Sequence, residues 1–171
     1  MDERFLFAAI LLPILGGIAL PLIGKQSQKR MYGWVFAVSI ATSILTWALI
    51  LTCKTESYTI VRLTRDLTLT LRFDRLGRFF AGIIATLWPL TVLYASEYMK
   101  QEERQTTFFA FFTITYGITL GVAMAANLFT MYSFYELLTL STVALVMQPM
   151  TRRAVRAAKT YLSFSLGGAA F

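Results

Sequence analysis

Glu136 is tenth of the 21 positions from Asn127 to Met147, a stretch that otherwise carries no charge. At a rise of about 1.5 Å per residue, that depth is near the middle of a hydrocarbon core about 30 Å thick. An ionised carboxylate there costs about 2.5 kcal/mol or more even on the most lenient insertion scale, so neighbouring groups must compensate it. Desolvation raises the pKa of such an acid and a nearby cation lowers it, and a group held between these influences can take up and release a proton. At about 100° per residue, Tyr132, Ser133, Glu136, Thr139 and Val143 share an arc of about 120°, which sets hydroxyls one turn before and after the carboxyl. Such a polar stripe suits a face turned to partner helices or to a water-filled path. A protonated acid or a buried ion pair that only ties helices together is the competing reading. Because ionisable groups inside membranes are functional by default, the ion path is preferred.

Lys159 is the second candidate, about one turn beyond the basic flank Arg152-Arg153-Ala154-Val155-Arg156. It is either a cytoplasmic anchor that snorkels to lipid phosphate, like the arginines beside it, or an electrostatic partner of Glu136. Counted from the cytoplasmic helix ends, Glu136 lies about 16 Å deep and Lys159 about 7 Å, so a direct pair is not expected and any coupling between them would run through water. Gly117-Ile118-Thr119-Leu120-Gly121 matches the small-residue pattern for close helix contact, and Thr113, Thr115, Tyr116 and Thr119 add hydroxyls to the same helix, which points to packing.

Other chemistry is excluded by composition. With no histidine and Cys53 as the single cysteine, the chain cannot build a histidine-based triad, a His-ligated haem, a four-thiolate cluster or an internal disulfide. No catalytic residue, metal site or cofactor is therefore expected, and any redox group must sit in another chain. Hydrophobic residues make up 57% and charged residues 15%, with a mean hydropathy of +0.62, well below the roughly 25% charge of soluble domains. The chain is a membrane protein. Its net charge of +7 resides in the segments between spans and is explained by topology, and no nucleic acid partner is expected.

The fold class expected is an all-α polytopic membrane protein, a single transmembrane domain over residues 1–171. Spans are placed at about Phe5 to Ile23, Tyr32 to Leu51, Leu76 to Tyr94, Thr106 to Met124 and Leu128 to Met147. The first is read as a retained span because its apolar run of 20 residues exceeds a signal h-region. Pro89 removes an N–H from the third span and should kink it. Ala125-Ala126-Asn127 is the turn between the fourth and fifth. From Thr160 to Phe171 only 12 uncharged residues follow the basic flank, so the sixth span is expected to be truncated, as in a shortened or split product. Within residues 55–74, Leu67, Leu69, Leu71 and Phe73 alternate with Thr68, Thr70, Arg72 and Asp74, the period of a half-buried strand. Tyr58 to Leu63 is its candidate hairpin partner, turning at Thr64-Arg65-Asp66. Counting Lys and Arg gives seven on the side bearing this loop and nine on the other. The N-terminus and the loop are placed outside, in the cytoplasmic membrane of a prokaryote.

Phe73-Asp74-Arg75-Leu76, Leu93-Tyr94-Ala95-Ser96-Glu97-Tyr98-Met99 and the stretch Leu128 to Ser141, with Tyr135-Glu136-Leu137 at its centre, resemble the proton-conducting antiporter-like membrane subunits. That family includes membrane-arm subunits of respiratory complex I, subunits of multisubunit sodium/proton antiporters and relatives in membrane hydrogenases. The resemblance extends to Ala157-Ala158-Lys159-Thr160-Tyr161-Leu162, similar to the start of the next family helix. It implies that Glu136 is the fifth-helix glutamate of the proton path and Lys159 the lysine opening helix six; Tyr132, Ser133 and Thr139, from the hydroxyl-bearing arc around Glu136, are the supporting residues. It also implies an extracytoplasmic hairpin and a non-catalytic role in an NADH:quinone oxidoreductase-like complex, membrane hydrogenase or antiporter. Its partners would be other membrane subunits and membrane lipid. A structural or assembly subunit without conduction is the alternative.

Overall fold

The structure, a computed structural model, describes residues 4–24, 27–52, 57–62, 67–101, 104–148 and 150–170. In chain order these form α1 (Arg4–Gly24), α2 (Gln28–Thr52), β1 (Ser57–Arg62), β2 (Thr68–Arg72), α3 (Arg75–Tyr98), α4 (Gln105–Ala123), α5 (Leu128–Met147) and α6 (Arg152–Ala170), with a 3-10 turn Met99–Gln101 after α3. Five helices, α1 to α5, are long and apolar enough to cross a membrane. The 19-residue α6 is not among them, because four cations fall within its first eight residues. The expected polytopic helical fold with a small hairpin is thus the fold observed, and α3 continues as one helix through Pro89.

Helix α4 is the hub, packed on α1 and α5 and against α3, while α2 joins α1 to α3. The contact between α1 and α4 is set by glycine. A Cβ at Gly17 would lie 2.6 Å from the Ala110 carbonyl, and one at Gly117 would collide with the Ile10 carbonyl. The small-residue pattern of α4 serves two neighbours: Gly117 admits α1, and Gly121 admits the Phe134 ring of α5, 2.5 Å from where its Cβ would be. Tyr116 is fully buried, donates to or accepts from Ser43 at 2.9 Å, and stacks on Trp88 at 4.8 Å.

β1 and β2 pair antiparallel, Ser57 opposite Arg72 and Arg62 opposite Thr68, with an irregularity between Thr59 and Val61. That bulge resets the alternation that Arg62 would otherwise break. The expected turn Thr64-Arg65-Asp66 lies outside the described residues, as does Cys53. The hairpin is sewn to the bundle. Arg72 N–H donates to the Met124 carbonyl at 2.8 Å and Ala126 N–H to the Thr70 carbonyl at 2.9 Å, so the link between α4 and α5 extends the sheet by one bridge. Leu71 and Phe73 point inward and are fully buried. Asp74 caps α3 by accepting from Gly77 N–H at 2.8 Å.

Candidate functional site

The N-terminus of α5 is fixed before any of its inward residues is placed. Asn127 is its N-cap, accepting from Thr130 N–H at 2.7 Å, and its amide nitrogen donates to the Thr68 carbonyl at 2.8 Å. Thr130 in turn accepts from Thr70 N–H at 2.9 Å. An apolar membrane helix therefore begins on a strand edge rather than in a free loop, which sets the depth and rotation of everything along it. Sequence reading took Asn127 only as part of a turn. The signal for its fuller role was present, since asparagine is among the best N-caps.

Nine residues along, Glu136 is partly buried, and its Oε1 is shielded from solvent with no hydrogen-bond partner. A buried acceptor left unmatched costs about 1–3 kcal/mol, more if charged. Tyr132, one turn earlier and half exposed, has its hydroxyl placed to interact with this carboxyl. Neither of the two ion pairs among the described residues includes Glu136. Ser133 is on the expected helix but its hydroxyl donates to the Phe129 carbonyl at 2.8 Å, one turn back on its own helix. Thr139 is buried and bonds the Ser165 hydroxyl of α6 at 3.1 Å. Lys159 is exposed and lines a separate cleft of about 320 Å³ with Met150, Arg152, Val155 and Arg156. Neither ion pair among the described residues joins Lys159 to Glu136.

The structure adds residues that the sequence reading did not single out. Ser165 also pairs with the Tyr135 hydroxyl at 3.3 Å, and Thr142 pairs with Tyr161 at 3.2 Å. Tyr135, Thr139 and Thr142 recur every three to four residues, as do Tyr161 and Ser165, so a matching pair of hydroxyl stripes was present in the sequence. On the hairpin side of this seam lies a cavity of about 950 Å³ between the end of α4, the first half of α5 and the second half of α6. Its hydroxyl-bearing walls are Tyr132, Tyr135 and Ser165, and the rest of its lining, including Val122, Phe164 and Gly168, is apolar or glycine. Among the described residues, no group of three or more His, Cys, Asp or Glu is placed to hold a metal ion.

Comparison with known proteins finds relatives in sequence and in fold. The chain is 27% identical over 147 residues to the Na(+)/H(+) antiporter subunit A1 of Staphylococcus aureus, an alignment covering 82% of this chain and 18% of that protein. In fold it matches a chain of the membrane-bound sulfane sulfur reductase, an archaeal respiratory membrane complex, with a TM-score of 0.82 at 16% identity over 98% of this chain and 35% of that one. It also matches a chain of the Mrp complex from a Dietzia species, with a TM-score of 0.81 at 16% identity over 96% of this chain and 18% of that one. No family model matches. The chain is thus similar in sequence to an antiporter subunit and shares its fold with a chain of each of these two membrane complexes, and it spans about a fifth of the length of the relative it matches in sequence.

Proposed function

We propose that this chain is a membrane subunit of a multisubunit cation/proton antiporter or of a proton-translocating, NADH:quinone oxidoreductase-like complex, and that Glu136 binds and releases the transported proton. One observation carries the reading: a carboxyl oxygen at mid-helix, buried and without a hydrogen-bond partner, on a helix whose first half walls a cavity. A group kept only to hold helices together would have its acceptors satisfied, as buried polar groups ordinarily do. Tyr132 and Thr139 supply hydroxyls around the carboxyl. Ser133, on the same stripe, lines the approach while its hydroxyl is engaged with its own helix. Lys159 acts from the basic cleft at the opposite end of α6, biasing the proton's occupancy through intervening water. The counter-charge that balances an ionised Glu136 comes from other spans of the assembly, since the longer relatives extend well beyond the matched portion. The partners are therefore other membrane subunits, and the setting is the cytoplasmic membrane of a prokaryote.

Glu136→Gln keeps size and most hydrogen bonding but removes titration. In everted membrane vesicles holding the chain with its native partner subunits, proton transport driven by cation or electron-donor addition should fall on the order of a hundredfold or more. The amount of assembled complex should not change. Transport at the unaltered rate with normal assembly would leave Glu136 a structural group and overturn the reading.

A further inference from the structure

We propose that Ser165 is the relay that carries protons between the cavity on the hairpin side of the α5–α6 seam and Glu136; this rests on the reading of Glu136 given above. The cavity lies at the level of the hairpin, because its walls come from the end of α4 and the start of α5, the two segments that β2 bonds through Met124, Ala126 and Thr130. Its lining is apolar or glycine except for three hydroxyl groups; of these Tyr132 faces the Glu136 carboxyl on its own helix, and Ser165 bonds the buried Thr139 across the seam. Ser165 Oγ stands 3.3 Å from the Tyr135 hydroxyl on the cavity wall and 3.1 Å from the Thr139 hydroxyl, which is 3% exposed. In each pair either oxygen can be the donor.

A hydroxyl has one proton to give and two lone pairs to receive with, so it can accept on one side while donating on the other. When water in the cavity protonates Ser165, the serine's own proton passes to Thr139. The threonine's proton then passes through one water to the Glu136 carboxylate. Each O–H bond broken is matched by one formed, both hydroxyls end neutral, and they reset by rotation. The receiving atom is available: Glu136 Oε1 is buried and takes no hydrogen bond. Apart from Thr130, whose hydroxyl is engaged with β2, the other buried threonines are spent on their own helices, Thr46 on the Thr42 carbonyl at 2.8 Å, and Thr113 and Thr115 on Phe109 and Phe111 at 2.7 Å. Thr139 is turned across the seam instead, which costs helix α5 nothing and leaves its hydroxyl free to exchange.

The experiment uses the full chain with its partner subunits in everted vesicles. Ser165→Ala should lower proton transport roughly tenfold to a hundredfold, and Ser165→Thr, which restores a hydroxyl, should recover most of it. In a Cys53→Ser background, Ser165→Cys should react with a membrane-impermeant thiol reagent added on the hairpin side and not with reagent added on the other side. This labelling is read without transport, so it tests the cavity even where the alanine variant assembles poorly. Wild-type transport by Ser165→Ala while Glu136→Gln is inactive would overturn the relay and leave the role of Glu136 standing. Wild-type transport by Glu136→Gln would overturn both. Absence of labelling from the hairpin side would overturn the access route and with it the proposal.

Discussion

Helices α4 and α5 are neighbours of similar length and similar vocabulary, yet half of the α4 span is buried within the chain and only 17% of the α5 span. In α4 every threonine hydroxyl for which a side-chain bond is described, except Thr106, which donates to Met31 Sδ at 3.3 Å, points back along its own helix: Thr113, Thr115 and Thr119 each donate to the carbonyl four residues earlier. This local bonding removes polarity from the interface and lets α1 approach to glycine distance. In α5 the hydroxyls of Tyr135, Thr139 and Thr142 reach across to α6, and one oxygen of the single carboxyl is buried without a partner. Thr and Tyr serve both helices. What differs is whether the buried threonine hydroxyls are closed off within their own helix, as at Thr113 and Thr115, or turned to a neighbour, as at Thr139. The first arrangement makes a rigid support, and the second makes a site.

Stability should therefore depend on α1–α4 and transport on α5–α6. The sharpest way to break that division is Gly117→Leu. A side chain there has no room, because even a Cβ would collide with the Ile10 carbonyl, a backbone atom that cannot rotate aside. Separation of α1 from α4 should destabilise the bundle by more than about 3 kcal/mol and reduce the folded subunit recovered in detergent. Thermal unfolding followed by size-exclusion fluorescence would measure it. Survival of Gly117→Leu at the unaltered midpoint would show that the close contact is not what holds the support together.

Legibility in the sequence followed the same line. Span positions were readable because an apolar run long enough to cross a membrane has few other uses, and the α5 boundaries Leu128–Met147 coincide with those expected. The strand at Thr68–Arg72 was readable from its period of two. Glu136 was readable because a lone charge in such a run is rare. Ser165 was not, since a serine in a helix has an ordinary outlet in its own backbone, and only the rotation of α6 against α5 decides that it bonds Tyr135 and Thr139 instead. Asn127 was legible as a turn residue but not as the stitch between hairpin and helix, because that depends on the distant Thr68 carbonyl.

Asn127 joins the two regions, and its substitution should give an intermediate effect. Asn127→Ala removes both the cap on Thr130 N–H and the bond to Thr68, which together should cost about 1–2 kcal/mol. The loss should appear as a modest drop in midpoint. It should also appear as faster amide exchange at the first turn of α5 and along β2, where the freed groups lie, with α1 and α2 unchanged. Equal loss of protection across all helices would mean that the stitch acts on the whole bundle and that the two regions are not separable.

The smallest structural effect and the most informative one should come from Gly168→Leu. No atom lies within 4 Å of where its Cβ would be, and the residue lines the large cavity, so the new side chain has open space to fill. Replacing a helical glycine also raises helix propensity, by up to about 1 kcal/mol. Stability should then stay within about 0.5 kcal/mol of the parent or rise slightly, the reverse of what the same type of substitution does at Gly117. If the cavity only marks loose packing, transport should be untouched. If it is the aqueous side of the Ser165 relay, an isobutyl group that displaces its water should lower transport without moving the midpoint, and paired measurement of the two quantities on one vesicle preparation decides between them. The sign of the stability change at Gly168 tests the contrast between a closed interface and an open one, and the transport rate tests whether that openness is used.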